Sequence, residues 1–302
     1  MSLKKNKSIA LVIGSSGQDG TLLTKFLISK EYKVVGITKS NYNITSIDEV
    51  IRLLKKVQPH EIYHLAAYHH SSEKRENIDL KKNYEINYFS TIVFLEAILK
   101  VNKKIKFFYA SSSFIFKPST KIQTEKTEYE PKCHYSIAKV ASMGACKFYR
   151  ENFGLFSSCG ILYNHESILR KNHFLSKKIV SNAIKHSRNY KSKLIINNMN
   201  HLTDWGHAED YVKAMYLILK NSVSKTYIVA SGRVFSVRDF VKTTYNYLNL
   251  DYRDFVIEKC NNKILTYRKG DSSNLKKDCG WAPHYKFKSM IKKLVDDELD
   301  SL

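Results

Sequence analysis

ALVIGSSGQDG (residues 10–20) is the stretch that decides the fold. An apolar run ends in Gly14. Gly17 and Gly20 follow at three-residue intervals, and the helix-period segment TLLTKFLISK (21–30) comes next. Strand, glycine turn and helix in direct succession make a dinucleotide-binding unit. The glycines permit a tight turn, and a pyrophosphate can approach free N–H groups at the helix N-terminus. Glycine spacing alone carries little; the strand before it and the helix after it give it weight. The turn nominates Gly14, Ser16, Gly17, Gln18 and Asp19 as cofactor-binding residues.

Outward from this turn, strand and helix signals alternate. KVVGI (33–37) reads as a strand, and Ser46 to Val57 as a helix opened by a Ser46-x-x-Glu49 capping box. EIYHLAA (61–67) is a strand, followed by a long helix through about Leu99. IKFFYASS (105–112) is a strand, His134 to Asn152 a helix, and FSSCGILYN (156–164) a strand. This alternation predicts an α/β, Rossmann-type, doubly wound parallel sheet with helices on both faces. The nucleotide-binding domain is expected over 1–164. The segment 204–231, with GHAEDYVKAMYLILK and TYIVAS, returns to it, while 165–203 and 232–302 form a smaller C-terminal substrate-binding lobe. Ligand is expected in the cleft at the C-terminal ends of the strands.

The second strand is followed by Thr38-Lys39-Ser40-Asn41, without the carboxylate that would hold a ribose hydroxyl. Lys39 could meet a 2′-phosphate, which points to NADP(H), with NAD(H) the other choice.

A chain of 302 residues suffices for one large α/β domain, or a nucleotide domain with a smaller one appended. No apolar run approaches the ~20 residues of a membrane span, and the basic N-terminus lacks the pattern of a signal peptide. The 5 cysteines form no CxxC pair and are odd in number, which suits reduced thiols in a cytoplasm. Cys133 has no assignable base to make it a nucleophile. Lysines are spread along the whole chain, so the net charge of +22 reads as a solubilising surface and not a nucleic-acid patch. Such a field also attracts a sugar diphosphate. His64, His69 and His70 lack a carboxylate at metal-ligand spacing. They read as site lining or plain polarity, and no metal is expected.

The chemistry is carried by YSIAK, which sets Tyr135 and Lys139 one helical turn apart on a shared face. A lysine ammonium there would favour the phenolate and lower its pKa. The phenol could then exchange a proton with a sugar hydroxyl while hydride moves to or from nicotinamide. Ser112, at the end of the fourth strand, can hydrogen-bond the same oxygen. A YxxxK spacing occurs by chance in many helices; its place after the fourth strand and beyond a glycine turn gives it meaning.

With ALVIGSSGQDG, EIYHLAA, YSIAK, GILYNHES and DWGHAEDYVKAM on the page, the chain resembles the GDP-mannose 4,6-dehydratase branch of the extended short-chain dehydrogenases, from Ala10 to about Pro283. The resemblance implies a bound nicotinamide cofactor and a GDP-linked nucleotide sugar. It places Leu65, Ala66 and Ala67 along the cofactor, His165 near the nicotinamide amide, Asn164 near the substrate diphosphate and Lys178 near the nucleotide. It also implies a homodimer through helices around 77–99 and 134–152. The chain departs from the family where a dehydratase carries a glutamate as acid and base: Phe114 stands there. The Arg-Arg loop after the second strand is missing, Thr203 replaces the arginine before Asp204, and Asn261-Asn262 replace an arginine-proline pair. The expected function is therefore a C4 keto-reductase or epimerase on a GDP-linked deoxyhexose, hexose or heptose. A 4,6-dehydratase is the second reading, and a non-catalytic nucleotide-binding protein the third.

Overall fold

The computed structural model describes residues 7–68, 79–260, 262 and 266–302. Its first strand, β1 (Ile9–Ile13), has the period of two that a sheet covered on both faces demands. Leu11 and Ile13 enter one apolar core; Ala10 and Val12 enter the other. Then follow α1 (Gln18–Ser29), β2 (Lys33–Ile37), α2 (Ile47–Val57) and β3 (Glu61–His64). Beyond them lie α3 (Leu80–Tyr84), a π-helical turn (Glu85–Phe89), α4 (Ser90–Val101), β4 (Lys106–Ser112), α5 (His134–Phe153) and β5 (Ser157–Leu162). The second half holds β6 (Asn164–Glu166), α6 (Leu175–Ser187), β7 (Leu194–Ile196), β8 (Leu202–His207), α7 (Ala208–Lys220) and β9 (Thr226–Val229). β10 (Val234–Ser236), α8 (Val237–Tyr247), β11 (Val256–Glu258), α9 (Ser273–Cys279) and α10 (Phe287–Asp300) complete it.

The main sheet has 6 strands in the order β2-β1-β3-β4-β5-β9, all parallel. α2, α4 and α5 cover one face, and α1, α7 and α9 the other. This is a doubly wound, Rossmann-type fold. Strand order reverses between β1 and β3, the place where such sheets open a cleft at their C-terminal ends. β6 leaves the main sheet one residue after β5 and joins a small sheet of order β10-β8-β6. A further core around Trp205, Phe240 and Phe287 gathers α6, α8 and α10 over that sheet.

Three local expectations need correction. Ser46 caps α2 by accepting from the Glu49 N–H, but the Glu49 carboxylate turns away and accepts from the Asn43 N–H at 3.2 Å. Only half of the capping box forms, because the loop 43–45 offers a nearer donor. The long helix before β4 is interrupted by the π-helical turn, which frees the carbonyl of Asn87 to accept from the Tyr109 and Ser142 hydroxyls, both at 2.8 Å. The strand expected over 156–164 ends at Leu162, and Asn164 opens β6. His69, His70 and Asn261 lie outside the described residues.

Candidate active site

The glycine turn is fixed by contacts that only glycine allows. Gly14 has φ +87°, and a Cβ there would sit 2.8 Å from the Ala66 nitrogen. A Cβ on Gly20 would lie 2.2 Å from the Gly14 carbonyl oxygen, so α1 rests directly on the turn. The N–H groups of Gly14 and Ser15 donate to the Ile37 carbonyl at 2.8 and 3.1 Å, pinning the turn to β2. Gly17 caps α1 without a side-chain cap hydrogen bond. Ser16 and Gly17 are exposed there. Leu65, Ala66 and Ala67 follow β3 alongside, and Lys39 is exposed in the turn after β2. The structure thus gathers the predicted cofactor residues around one anion-accepting helix end.

Two of them do something the sequence did not announce. Asp19 accepts from the His165 ring at 3.0 Å, and Gln18 donates to the His165 carbonyl at 3.2 Å and accepts from the Ser167 hydroxyl at 2.8 Å. These bonds latch α1 to β6. The other His165 ring nitrogen faces the Tyr163 carbonyl at 2.6 Å, and the ring stacks on Tyr211 at 4.4 Å. The ring is thus held between the Asp19 carboxylate and the Tyr163 carbonyl. Burial raises the Asp19 carboxyl, but the charges of His165 and Arg170 and the hydrogen bonds from His165 and Gln18 outweigh it and hold it at about 2.

The second cluster lies at the C-terminal end of β4 and the N-terminus of α5. Tyr135 is in the first turn of α5, and Lys139 follows one turn on. Ser112 ends β4, and its hydroxyl hydrogen-bonds the Tyr135 phenol and accepts from the Phe114 N–H at 3.3 Å. The three predicted catalytic residues therefore come together. The electrostatics differ from the expectation. Burial pushes the Tyr135 phenol up to about 12, which the Ser112 hydrogen bond only partly offsets. Lys139 does not lower it, because its ammonium donates to the Ala110 carbonyl at 2.8 Å. It lies 4.7 Å from the Tyr109 ring centroid and 5.5 Å from that of Tyr135. Burial brings Lys139 itself down to about 7.

Asn164 begins β6, half-buried beside His165. Lys178 lies on α6, half-buried in the C-terminal part. Asp204 is a staple: its buried carboxylate, raised to about 6 by burial, accepts from the N–H groups of Ser231, Gly232 and Gly270 at 2.9, 3.1 and 3.4 Å. His64 is packed among Phe94, Phe107 and Tyr109, with a hydrogen bond to Ser90 at 2.9 Å; it is a core residue. Among the described residues, no three His, Cys, Asp or Glu side chains converge as a metal site.

Two arginines escaped the sequence reading. Arg170 donates to Glu166 at 3.0 Å and to the His165 carbonyl at 2.8 Å, buttressing β6. Arg268 stands over the Phe114 ring at 4.8 Å. Their signal was only an arginine in a loop after a site motif, which a lysine-rich chain buries in noise. No helix among the described residues is long and apolar enough to cross a membrane.

Comparison with known proteins agrees with this geometry. The chain is 32% identical to GDP-mannose 4,6 dehydratase 1 of Arabidopsis thaliana, over 98% of this chain and 91% of the relative. It is 28% identical to the GDP-mannose 4,6-dehydratase of Vibrio cholerae, over 98% of this chain and 94% of that one. Among solved structures, RMD from Pseudomonas aeruginosa complexed with NADPH superposes with a TM-score of 0.87 at 18% identity, covering 98% of this chain and 100% of the other. The UDP-glucose 4-epimerase of Thermotoga maritima with UDP-glucose gives 0.83 at 18%, covering 97% and 99%. The family model of GDP-mannose 4,6 dehydratase matches residues 40–294, a span holding Ser112, Tyr135, Lys139 and His165, and the chain belongs to that family.

Proposed function

We propose that this protein is an NAD(P)-dependent sugar-nucleotide oxidoreductase, acting as a C4 keto-reductase or epimerase on a GDP-linked hexose, deoxyhexose or heptose. The observation that carries the reading is the Ser112–Tyr135–Lys139 cluster with Phe114 two residues beyond Ser112. Tyr135 with a pKa near 12 keeps its proton at neutral pH, which suits protonating a ketone oxygen. Ser112 would hold that oxygen, and Lys139 would balance charge as the phenol loses its proton. A phenylalanine cannot take the C5 proton or expel the C6 hydroxyl, the steps that a dehydratase adds.

The cofactor is NADP(H) or NAD(H), which would supply or accept the hydride. Gly14, Gly17 and the open N-terminus of α1 fit a pyrophosphate. Ser16, Gln18 and Asp19 border it, and Leu65, Ala66, Ala67 and His165 border the path towards Tyr135. Lys39 favours NADP(H). Asn164 and Lys178 would hold the nucleotide sugar. The five free thiols suit a cytoplasmic protein. Ile137, Phe148 and Phe153 are exposed on α5, and Phe89 beside α4, as a homodimer through these helices would use; light scattering that gives a monomer at micromolar concentration overturns the dimer. The relatives named as dehydratases keep the 4,6-dehydratase as the second reading.

The deciding experiment incubates the protein with GDP-mannose, GDP-manno-heptose and their 4-keto-6-deoxy products, with each cofactor, and follows mass and absorbance. Net NAD(P)H consumption on a 4-keto sugar, or C4 inversion without net consumption, is expected. Loss of water from a GDP-hexose without net cofactor turnover would overturn the choice.

A further inference from the structure

We propose that Arg268 is an oxyanion clamp for the substrate, seated on Phe114 beside the catalytic hydroxyl of Ser112. The inference rests on the sugar-nucleotide reading and adds to it a residue that neither the sequence motifs nor the family resemblance assigned. Its backbone is built into place. Tyr267 and Ser119 exchange hydrogen bonds at 2.8 and 3.1 Å, Gln123 donates to the Lys269 carbonyl at 2.8 Å, and Asp271 donates to the Gln123 carbonyl at 2.9 Å. The guanidinium donates through Nε to the Phe116 carbonyl at 2.8 Å and lies 4.8 Å from the Phe114 ring centroid. The side chain is half-buried. Among the described residues, no carboxylate pairs with it and its two terminal nitrogens have no hydrogen-bond partner. The ionisable groups that sense its charge are Tyr163, Cys133 and His201, and no carboxylate is among them. A guanidinium desolvated without a counter-charge is unfavourable unless a ligand supplies that charge. Nε and the ring fix the plane of the fork, and the free edge presents two parallel N–H donors, the geometry that grips a carboxylate or a phosphate.

The shared chemistry is a planar pair of anionic oxygens on the nucleotide sugar. Its source is either the diphosphate or a carboxylate on the sugar ring. Phe114 serves as the stacking platform, so an aromatic side chain at this position has a role beyond the loss of an acid.

The test measures binding by calorimetry for wild type, Arg268→Met and Arg268→Lys, with GDP-mannose, a GDP-hexuronate, guanosine and inorganic pyrophosphate, and thermal unfolding for each variant. Arg268→Met should weaken the anionic ligands roughly 10- to 100-fold and leave guanosine unchanged. Arg268→Lys should recover only part of the loss, since lysine keeps the charge but neither forks nor stacks as a plane. Loss on GDP-mannose and pyrophosphate alike assigns the diphosphate; loss confined to the hexuronate assigns the sugar carboxylate. Anionic ligands bound by Arg268→Met within twofold of wild type, with the fold intact, would overturn the clamp. Arg268-dependent pyrophosphate binding in a protein that takes no GDP-sugar would uphold the clamp and remove the sugar-nucleotide reading instead.

Discussion

Replacing Asp19 by asparagine tests whether the latch between α1 and β6 is electrostatic. The substitution keeps the shape and one acceptor for His165 but removes the charge. The Asp19 carboxyl is held at about 2, against 3.8 when free. At about 1.4 kcal/mol per unit, that depression is roughly 2 kcal/mol of native-state stability at neutral pH. A depressed carboxyl contributes fully above its unfolded value and loses its contribution as pH falls through the folded one. The difference between wild type and Asp19→Asn should therefore stand near 2 kcal/mol at pH 7 and begin to shrink below about pH 4. Urea unfolding of both proteins over a pH series reads this directly. Equal stabilities at pH 7 within about 0.5 kcal/mol, the spread of an ordinary surface change, would refute the latch. So would a difference that acid leaves untouched.

Tyr135→Phe removes the hydroxyl that Ser112 engages and keeps the ring. Turnover should fall ~10²–10⁴-fold with cofactor binding by calorimetry unchanged, and a variant still turning over within tenfold of wild type would strip Tyr135 of its role. His64, buried and neutral, is pushed to about 3 from 6.5, chiefly by burial and then by the charge of Lys139. The unfolded chain takes up that proton first, so wild type should lose roughly 2 kcal/mol more than His64→Gln between pH 6.5 and 5 in urea unfolding; parallel losses would contradict it. Lys39→Ala should weaken NADPH about tenfold and leave NADH alone, and calorimetry showing a clear NADH preference in wild type would end the Lys39 argument.

The main sheet was legible because its central strands are buried on both faces and bounded by helical periods. ALVI and KFFYASS leave no solvent side to expose, so parallel strands between helix layers were the remaining arrangement. What escaped depends on contacts between distant segments. Nothing in FSSCGILYN says that the chain changes sheets at Asn164; the partner that makes it do so, β8, lies some forty residues on. The catalytic residue types were readable from spacing, but their ionisation was not. Lys139 finds the Ala110 carbonyl, a backbone atom that no sequence pattern exposes. His165 was nominated from resemblance, and its tie to Asp19 spans 146 positions, beyond any local rule.

The π-helical turn at Glu85–Phe89 also sets a limit on chain length. A π turn holds one residue more than the α-helical turn it replaces. Deleting a single residue there would restore the ordinary period and rotate everything before it by about 100° about the helix axis. Asn83 would swing off the His134 carbonyl that it holds at 3.2 Å and lose its bond to Asn87 at 2.8 Å. An insertion would swing it the opposite way. The first turn of α5, with Tyr135 in it, is thus tied to a residue count, and homologous chains that keep this site should keep the length of 85–89 together with the buried Asn87 side chain.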